Sequence, residues 1–402
     1  MAGKMSRRSI CKKSILFSWL KIILICVLLL PASYYSLLFR YSWIFSKDVP
    51  NQYFVLSITT TFENDSPQGR VWNFSDTEKT VGLFMNNSWQ TIYLLNVSSP
   101  VNEVQIDVDG NPVATLSFPK SKILRGENFT FQISYKITLK FRSLPSIFEN
   151  QSGSLDDIPE ELKRRYCEAN GPWQVDREEI RDLAFKIAGN ETNVLLLLKK
   201  FILWIKHNIQ YKSRSLPQYP AETLSLKSGD CDDQANLLIA FCRIVGIPAY
   251  LQIGCIYLPR IDSEFSHWDG HLRIRLTRIG WHGWVMAYVP PWGWLPVDLT
   301  YASEILSDPL NAIRKAALIN YPVVQYANIT ETDYIASSRN YREFLISNEF
   351  KIYEHDIMYE IEPPQKERIR LPRFYTFICL SVSPSKIPQI PLTHEEINRR
   401  FN

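Results

Sequence analysis

The run Ser228-Gly229-Asp230-Cys231-Asp232-Asp233-Gln234, continuing as ANLLIAFCRIVGIPAY, constrains this chain more than any other stretch. Asp230 is a good helix N-cap, and Asp232 and Asp233 fall in the first turn, where the positive end of the helix dipole favours acids. A helix therefore starts at about Cys231. Ala235, Leu238 and Cys242 recur at helical spacing, Phe241 and Val245 widen the apolar face, and Gly246 with Pro248 ends it. Cys231 is thus expected in the first turn of a mostly buried helix. Unpaired backbone N–H groups there lower a thiol pKa below its free value of about 8.5 and offer donors to an oxyanion. The competing assignment is an inert, buried cysteine. What separates the two is whether a base and a group to orient it follow.

Both follow in GWHGWVMAYVPPWGWLPVDLT. Trp281 to Tyr288 and Trp294 to Leu299 read as two aromatic and β-branched strands around a Pro-Pro-Trp-Gly connection, the pattern of a hairpin. With the loop centred on Pro290, His282 lies directly opposite Asp298. Opposed Cβ atoms stand about 4.5–5.5 Å apart, which lets a carboxylate accept the far ring N–H of an imidazole. Cys231, His282 and Asp298 would then form a triad.

GDCDDQANLLIAFCRIVGIPA, then HGW, then GWLPVD closely resembles the transglutaminase-like cysteine enzymes, a group within the broad papain-like class. In that family the Cys of a GDC run opens a helix, the His lies in an H-x-W motif and the Asp in a GW-x-P-V-D run. The resemblance implies an α+β catalytic domain over residues 158–335. Cys231 is then the nucleophile, His282 the general base and acid, and Asp298 the orienting carboxylate. It implies no cofactor and no metal, and a protein or peptide substrate. The acyl-thioester can pass to water, as in a peptidase or deamidase, or to an amine, as in a transglutaminase; resemblance to membrane-tethered relatives favours hydrolysis. This chain has Gly283 and Met286 where members often carry Ala and Glu. The alternative is a non-catalytic envelope or adhesion protein built on the same fold.

The formal charge of +4 on 402 residues is concentrated at the start. Lys4, Arg7, Arg8, Lys12, Lys13 and Lys21 fall before any acid, so the remainder is slightly acidic and nothing suggests a nucleic-acid surface. Residues 1–14 form a basic tail, expected to be cytoplasmic. Residues 15–39 are overwhelmingly apolar, and the uncharged part from Ile22 is close to the roughly 20 residues that span a bilayer. The run continues past Pro31-Ala32-Ser33, so a retained anchor fits better than a cleaved signal peptide. Everything after it would be extracytoplasmic, in keeping with sequons at Asn64, Asn73, Asn86, Asn96, Asn128, Asn150, Asn190 and Asn328.

Residues 50–148 alternate apolar and polar positions in short runs such as QYFVLSITTTF, which reads as an antiparallel β-sandwich-like domain. DVDG within it is a turn, because no Glu completes a calcium loop. Two helices follow, one starting near Asp176 and one over Asn193–Gln210, with Trp204 and Tyr211 in the core. Tyr301 to Tyr321 reads as a further helical stretch, and residues 336–402 as a C-terminal extension with a strand-like run at Ile369–Val382. His267 and His271 have helical spacing but no partners for a zinc set. The seven cysteines leave Cys167, Cys242, Cys255 and Cys379 as candidates for disulfides, with the pairing open.

Overall fold

The computed structural model describes residues 51–363. The basic tail, the expected anchor, Cys11, Cys26, Cys379 and the run at Ile369–Val382 lie outside the described residues. Among the described residues, no helix is long and apolar enough to cross a membrane. The chain first runs through β1 (Gln52–Asn64), α1 (Asp76–Lys79), β2 (Thr80–Gly82), β3 (Gln90–Val97), β4 (Val101–Ile106), β5 (Pro112–Leu116) and β6 (Asn128–Leu139). Helices α2 (Glu160–Tyr166), α3 (Glu178–Ala188), α4 (Val194–Asn208), α5 (Pro220–Leu226) and α6 (Cys231–Ile244) follow. Next come β7 (Ala249–His267), β8 (Leu272–Val289), β9 (Gly293–Val297), α7 (Asn311–Arg314) and α8 (Ala317–Asn320). Last are β10 (Val323–Ile329), α9 (Tyr334–Asn348) and β11 (Phe350–Glu360).

One eight-stranded sheet carries the fold, in the order β10-β7-β8-β11-β1-β6-β3, with β9 also paired to β8. The long β7–β8 hairpin spans it. Its inner part pairs Ala249 with Ala287 through Tyr257 with Ile279, and its outer part, past a register shift, pairs Asp262 with Thr277 through His267 with Leu272. The outer part of β8 pairs parallel to β11, Leu272–Thr277 against Ile352–Ile357, and β11 in turn pairs antiparallel to β1. The period-two pattern of β1 works as its sequence suggests, burying Phe54, Leu56 and Phe62. The strands expected over 50–148 are present, but β1, β3 and β6 extend the same sheet as β7 and β8, while β2, β5 and β4 form a separate three-stranded sheet. The strand that joins the two halves, β11, comes from the stretch read as an extension.

The helices expected near Asp176, over Asn193–Gln210 and from Cys231 form where their apolar spacing predicts. Asn193 caps α4, its side chain accepting from Leu196 N at 3.0 Å. α3 begins at Glu178 behind Arg177, with no side-chain cap, so Asp176 does not serve as the expected N-cap. α6 is buried along nearly its whole length, from Asp233 to Arg243. It shares its core with Leu198, Phe201 and Ile202 of α4 and with Leu251, Val285 and Val297 of the sheet. The expected helix over Tyr301–Tyr321 resolves into turns and the two short helices α7 and α8. Cys167, Cys231, Cys242 and Cys255 are all free thiols.

Polar side chains join the N-terminal strands to the rest. Gln90 exchanges hydrogen bonds with the Gln325 backbone (2.7 and 2.8 Å), and Gln325 Nε2 donates to Gln252 Oε1 (2.7 Å). DVDG is a turn, as read, and it also docks. Asp109 Oδ1 accepts from Thr330 N (2.8 Å), Thr330 Oγ1 (2.9 Å), Glu331 N (2.7 Å) and Thr332 N (3.2 Å). Burial pushes this carboxyl up, but the donors from Thr330 to Thr332 outweigh burial and hold it below the usual carboxylate range. Asp109→Ala should therefore lower stability by roughly 3 kcal/mol at neutral pH, since it strips several buried donors of their acceptor. Because the folded pKa is depressed, the difference from wild type should be full above about pH 4 and shrink as pH falls through the folded value. Paired melts across pH check this, and a pH-independent deficit would contradict it.

Candidate active site

Gly229 and Asp233 set the start of α6. A Cβ on Gly229 would stand 2.5 Å from Asp233 Cβ, so only glycine lets the chain turn in this closely. Asp233, wholly buried, closes a capping box with Asp230 and accepts from Gln218 N at 2.6 Å and Gln218 Nε2 at 2.7 Å. Gly246, at φ +90°, ends the last turn as its position predicts. Cys231 thus occupies the first turn of α6, half-buried.

β8 is paired to β11 only as far as Thr277 and to β9 only from Val285, which leaves one edge of the intervening segment open. The N-terminus of α6 comes against that opening. There Gly283 faces the first turn of the helix, and a Cβ on it would stand 3.4 Å from Asp232 Cβ. Among the described residues the hydrogen-bonding contact of the Cys231 sulfur is with Asp232 Oδ1 at 3.9 Å, not with His282.

His282 and Asp298 are brought into direct contact, Nε2 to Oδ2 at 3.0 Å, with both side chains about 1% exposed. The route differs from the expected register. Val285 pairs with Val297 and Val289 with Gly293, so the connection centres on Pro291. Asp298 lies just beyond the last pair, alongside Trp284, and reaches His282 diagonally. The change is by two residues, which keeps both side chains on one face. The Asp298 carboxylate also accepts from Ala317 N (2.9 Å) at the start of α8 and from Thr300 N and Tyr301 N (both 3.0 Å). Burial raises this carboxyl, but His282 and the backbone donors more than offset it and hold it below the usual range. An ionised acceptor on Nε2 fixes the tautomer of neutral His282, with the proton on Nε2 and the lone pair on Nδ1.

Electrostatics at the thiol run against the sequence expectation. Burial pushes the Cys231 thiol up and the adjacent Asp232 carboxylate adds to this; the Gly283 and Asp232 N–H groups pull down but do not prevail. A helix start lowers a thiol pKa while burial raises it, and here burial is reinforced by a carboxylate beside the thiol. Burial, reinforced by Asp232, also lifts Asp230 well above the usual carboxylate range. Asp230, Cys231 and Asp232 hold three potential metal-donor atoms within 4.8 Å of one another. One of these donors is already engaged, since Asp232 Oδ2 accepts from Tyr334 OH at 3.0 Å.

Aromatic side chains wall the site. The Tyr301 ring lies 4.7 Å from the imidazole and Trp284 lies 5.8 Å from it. Tyr334, between Asp232 and Asn236 Nδ2 (2.7 Å), fixes the first turn of α6. Neither Tyr301 nor Tyr334 stands in a motif, and only the fold brings them here. Tyr211, read as core, is 55% exposed and pairs beside Gly229, whereas Trp204 packs edge-on against Phe241. Trp281 points to the opposite face from His282, its indole N–H donating to Asp356 Oδ2 at 2.7 Å. His271 Nδ1 lies 2.8 Å from the Phe350 carbonyl, and His267 stacks on Phe265.

Residues 181–299 match the model of the transglutaminase-like superfamily. No curated protein matches the chain. Among solved structures, a candidate cysteine protease from Cytophaga hutchinsonii is 19% identical, with 79% of this chain and 94% of that one covered and a TM-score of 0.46. The periplasmic domain of TgpA from Pseudomonas aeruginosa, bound to ethylmercury, is 16% identical over 61% of this chain and 90% of that one, with a TM-score of 0.31.

The raised thiol predicts slow alkylation. At pH 7, iodoacetamide should label Cys231 in the native chain more slowly than in the denatured chain, and the native rate should keep climbing above pH 9, where a free thiol has levelled off. A native rate that is fast and flat from pH 6 upward would show a preformed thiolate instead.

Proposed function

We propose that this chain, which carries a transglutaminase-like superfamily domain at residues 181–299, is a thiol enzyme acting on amide bonds of proteins or peptides. Cys231 is the nucleophile, His282 the base and acid, and Asp298 the orienting carboxylate. The observation that carries this reading is the buried His282–Asp298 hydrogen bond of 3.0 Å, which turns the Nδ1 lone pair into the free end of the imidazole. That arrangement is the one a general base needs in order to take a proton.

His282 Nδ1 takes the Cys231 proton as sulfur attacks the amide carbonyl carbon. Because the thiol is held protonated, transfer and attack are coupled rather than separated by a resting ion pair. The developing oxyanion takes hydrogen bonds from backbone N–H groups at the start of α6. As the C–N bond breaks, the proton on Nδ1 passes to the leaving amine and a thioester remains on Cys231. Water then attacks, giving its proton to Nδ1, and the released sulfur recovers it as the carboxylic acid departs. An amine in place of water would give a transglutaminase outcome.

The enzyme is further proposed to be anchored by residues 15–39, with its N-terminus cytoplasmic and the domain extracytoplasmic. Supporting the outward placement, the sequon residues Asn73, Asn86, Asn96, Asn128, Asn150 and Asn190 are exposed. Asn64 is excluded as a glycan carrier, because it is wholly buried and its amide donates to Arg70 O (2.8 Å) and Ile123 O (3.0 Å). External protease should digest the chain on intact cells while sparing residues 1–14, and protection of the bulk would contradict this orientation.

Cys231→Ala should abolish turnover of an amide substrate. Asp298→Asn should fold and lose roughly four orders of magnitude in rate, because the neutral amide no longer selects the tautomer. Activity measured beside a melt for each variant checks this. Full activity in Asp298→Asn, or a loss explained by a collapsed melt, would reduce Asp298 to a structural residue. A fluorescent amine added to the assay distinguishes hydrolysis from transfer by whether it enters the product.

A further inference from the structure

A cavity of about 250 Å³, room for roughly eight water molecules, lies between the strands β1, β6 and β11 and the overlying α1–β2 segment. None of its lining residues belongs to the candidate active site. Among them are two carboxylates, Glu78 and Glu354, and no lysine or arginine. Glu78 is engaged: it accepts from Ser75 N (2.8 Å), Ser75 Oγ (2.6 Å), Trp72 Nε1 (3.4 Å) and Tyr341 OH (3.2 Å). Glu354 receives no hydrogen bond from any described residue. Burial, with Asp356 adding to it, lifts its carboxyl to about 7.

Three tyrosines, Tyr135, Tyr326 and Tyr341, line the same space. The Tyr341 hydroxyl donates to Glu78 and that of Tyr135 to Gly82 O at 3.2 Å, while the Tyr326 hydroxyl sits over Gly82, where a Cβ would stand 1.9 Å from its oxygen. What remains toward the cavity is one carboxylate without a donor, together with aromatic rings. The Glu354 carboxylate is half-buried, so it has lost part of its hydration, and the lining offers no cation to make up for it. An anion would be repelled. A metal ion would need more close donors, and among the described residues the only such trio is Asp230, Cys231 and Asp232. A carboxylate set among tyrosine rings suits an organic ammonium group, which it can meet by charge and by cation–π attraction.

We propose that this cavity is a binding site for a small organic ammonium ion, held by Glu354 among Tyr135, Tyr326 and Tyr341 and separate from the thiol site. The test is calorimetric titration of the full chain with tetramethylammonium chloride, against tert-butanol as the uncharged counterpart and sodium chloride at equal ionic strength. Saturable binding of tetramethylammonium alone is expected, with a loss of at least tenfold in Glu354→Gln, whose melt without ligand should match wild type. Wild-type binding should also strengthen between pH 6 and pH 8 as Glu354 ionises. Glu78 and the three tyrosines face the same space, but Glu78 is already hydrogen-bonded and the phenols stay neutral there; Asp356 lies outside the lining, two residues along β11 from Glu354. Asp356, lifted to about 6 by burial, adds to the rise below pH 7. Should Glu354→Gln fail to fold, the pH series decides. No saturable binding, equal binding of tert-butanol, equal affinity in Glu354→Gln, or affinity independent of pH would each mean a water-filled cavity only.

Discussion

A carboxylate taken almost wholly out of water, that of Asp298, is the interaction on which the rest of the site depends. Burying such a charge is costly unless its lone pairs are met, and four different groups meet them: the His282 ring and the N–H groups of Thr300, Tyr301 and Ala317. Those donors come from the end of a hairpin, the turn after it and the start of a short helix. Each must be in place for the charge to be tolerated. The charge in turn selects one imidazole tautomer, so the folding of three separate segments ends in the direction of a single lone pair.

The sheet explains how this pair meets a cysteine from a distant helix. β8 is paired on both sides at its two ends but open along one edge at Gly283, and α6 brings its first turn to that opening. Further packing holds the helix there. Arg243, buried in the last turn, donates to Ala249 O (2.8 Å), Asn170 Oδ1 (2.7 Å) and Thr330 O (3.0 Å) and lies over the Trp173 ring. Asp109 of the N-terminal region fixes residues 330–332, two residues before Tyr334, which bonds to Asp232 beside Cys231. The N-terminal region therefore helps to set the first turn of α6.

Much of this is legible in the residues. Helix α6, its glycine stop, the capped α4 and the shared face of His282 and Asp298 follow from local chemistry: capping acids, helical spacing and strand alternation. The exact pairing of the hairpin does not, because a Pro-Pro-Trp connection sets its own length. Nor does the thiol's character, since the helix start argues for a low pKa while burial and Asp232, fixed by the tertiary fold, argue more strongly for a high one. Tyr301, Tyr334 and Arg243 carry no motif, and their roles rest on partners far away in sequence. The run from Tyr301 to Tyr321 has enough apolar residues for a helix, yet its backbone is spent on turns that supply donors to Asp298.

The central claim is that Asp298 holds the proton of neutral His282 on Nε2 and so leaves Nδ1 to act on Cys231. Nitrogen NMR of the His282 ring in the full chain tests it most directly. The Nε2–H form should dominate at pH values where the ring is neutral, and Asp298→Asn should shift the population toward Nδ1–H. A ring carrying its proton on Nδ1 in the wild type, or a tautomer unchanged in Asp298→Asn, would contradict the account.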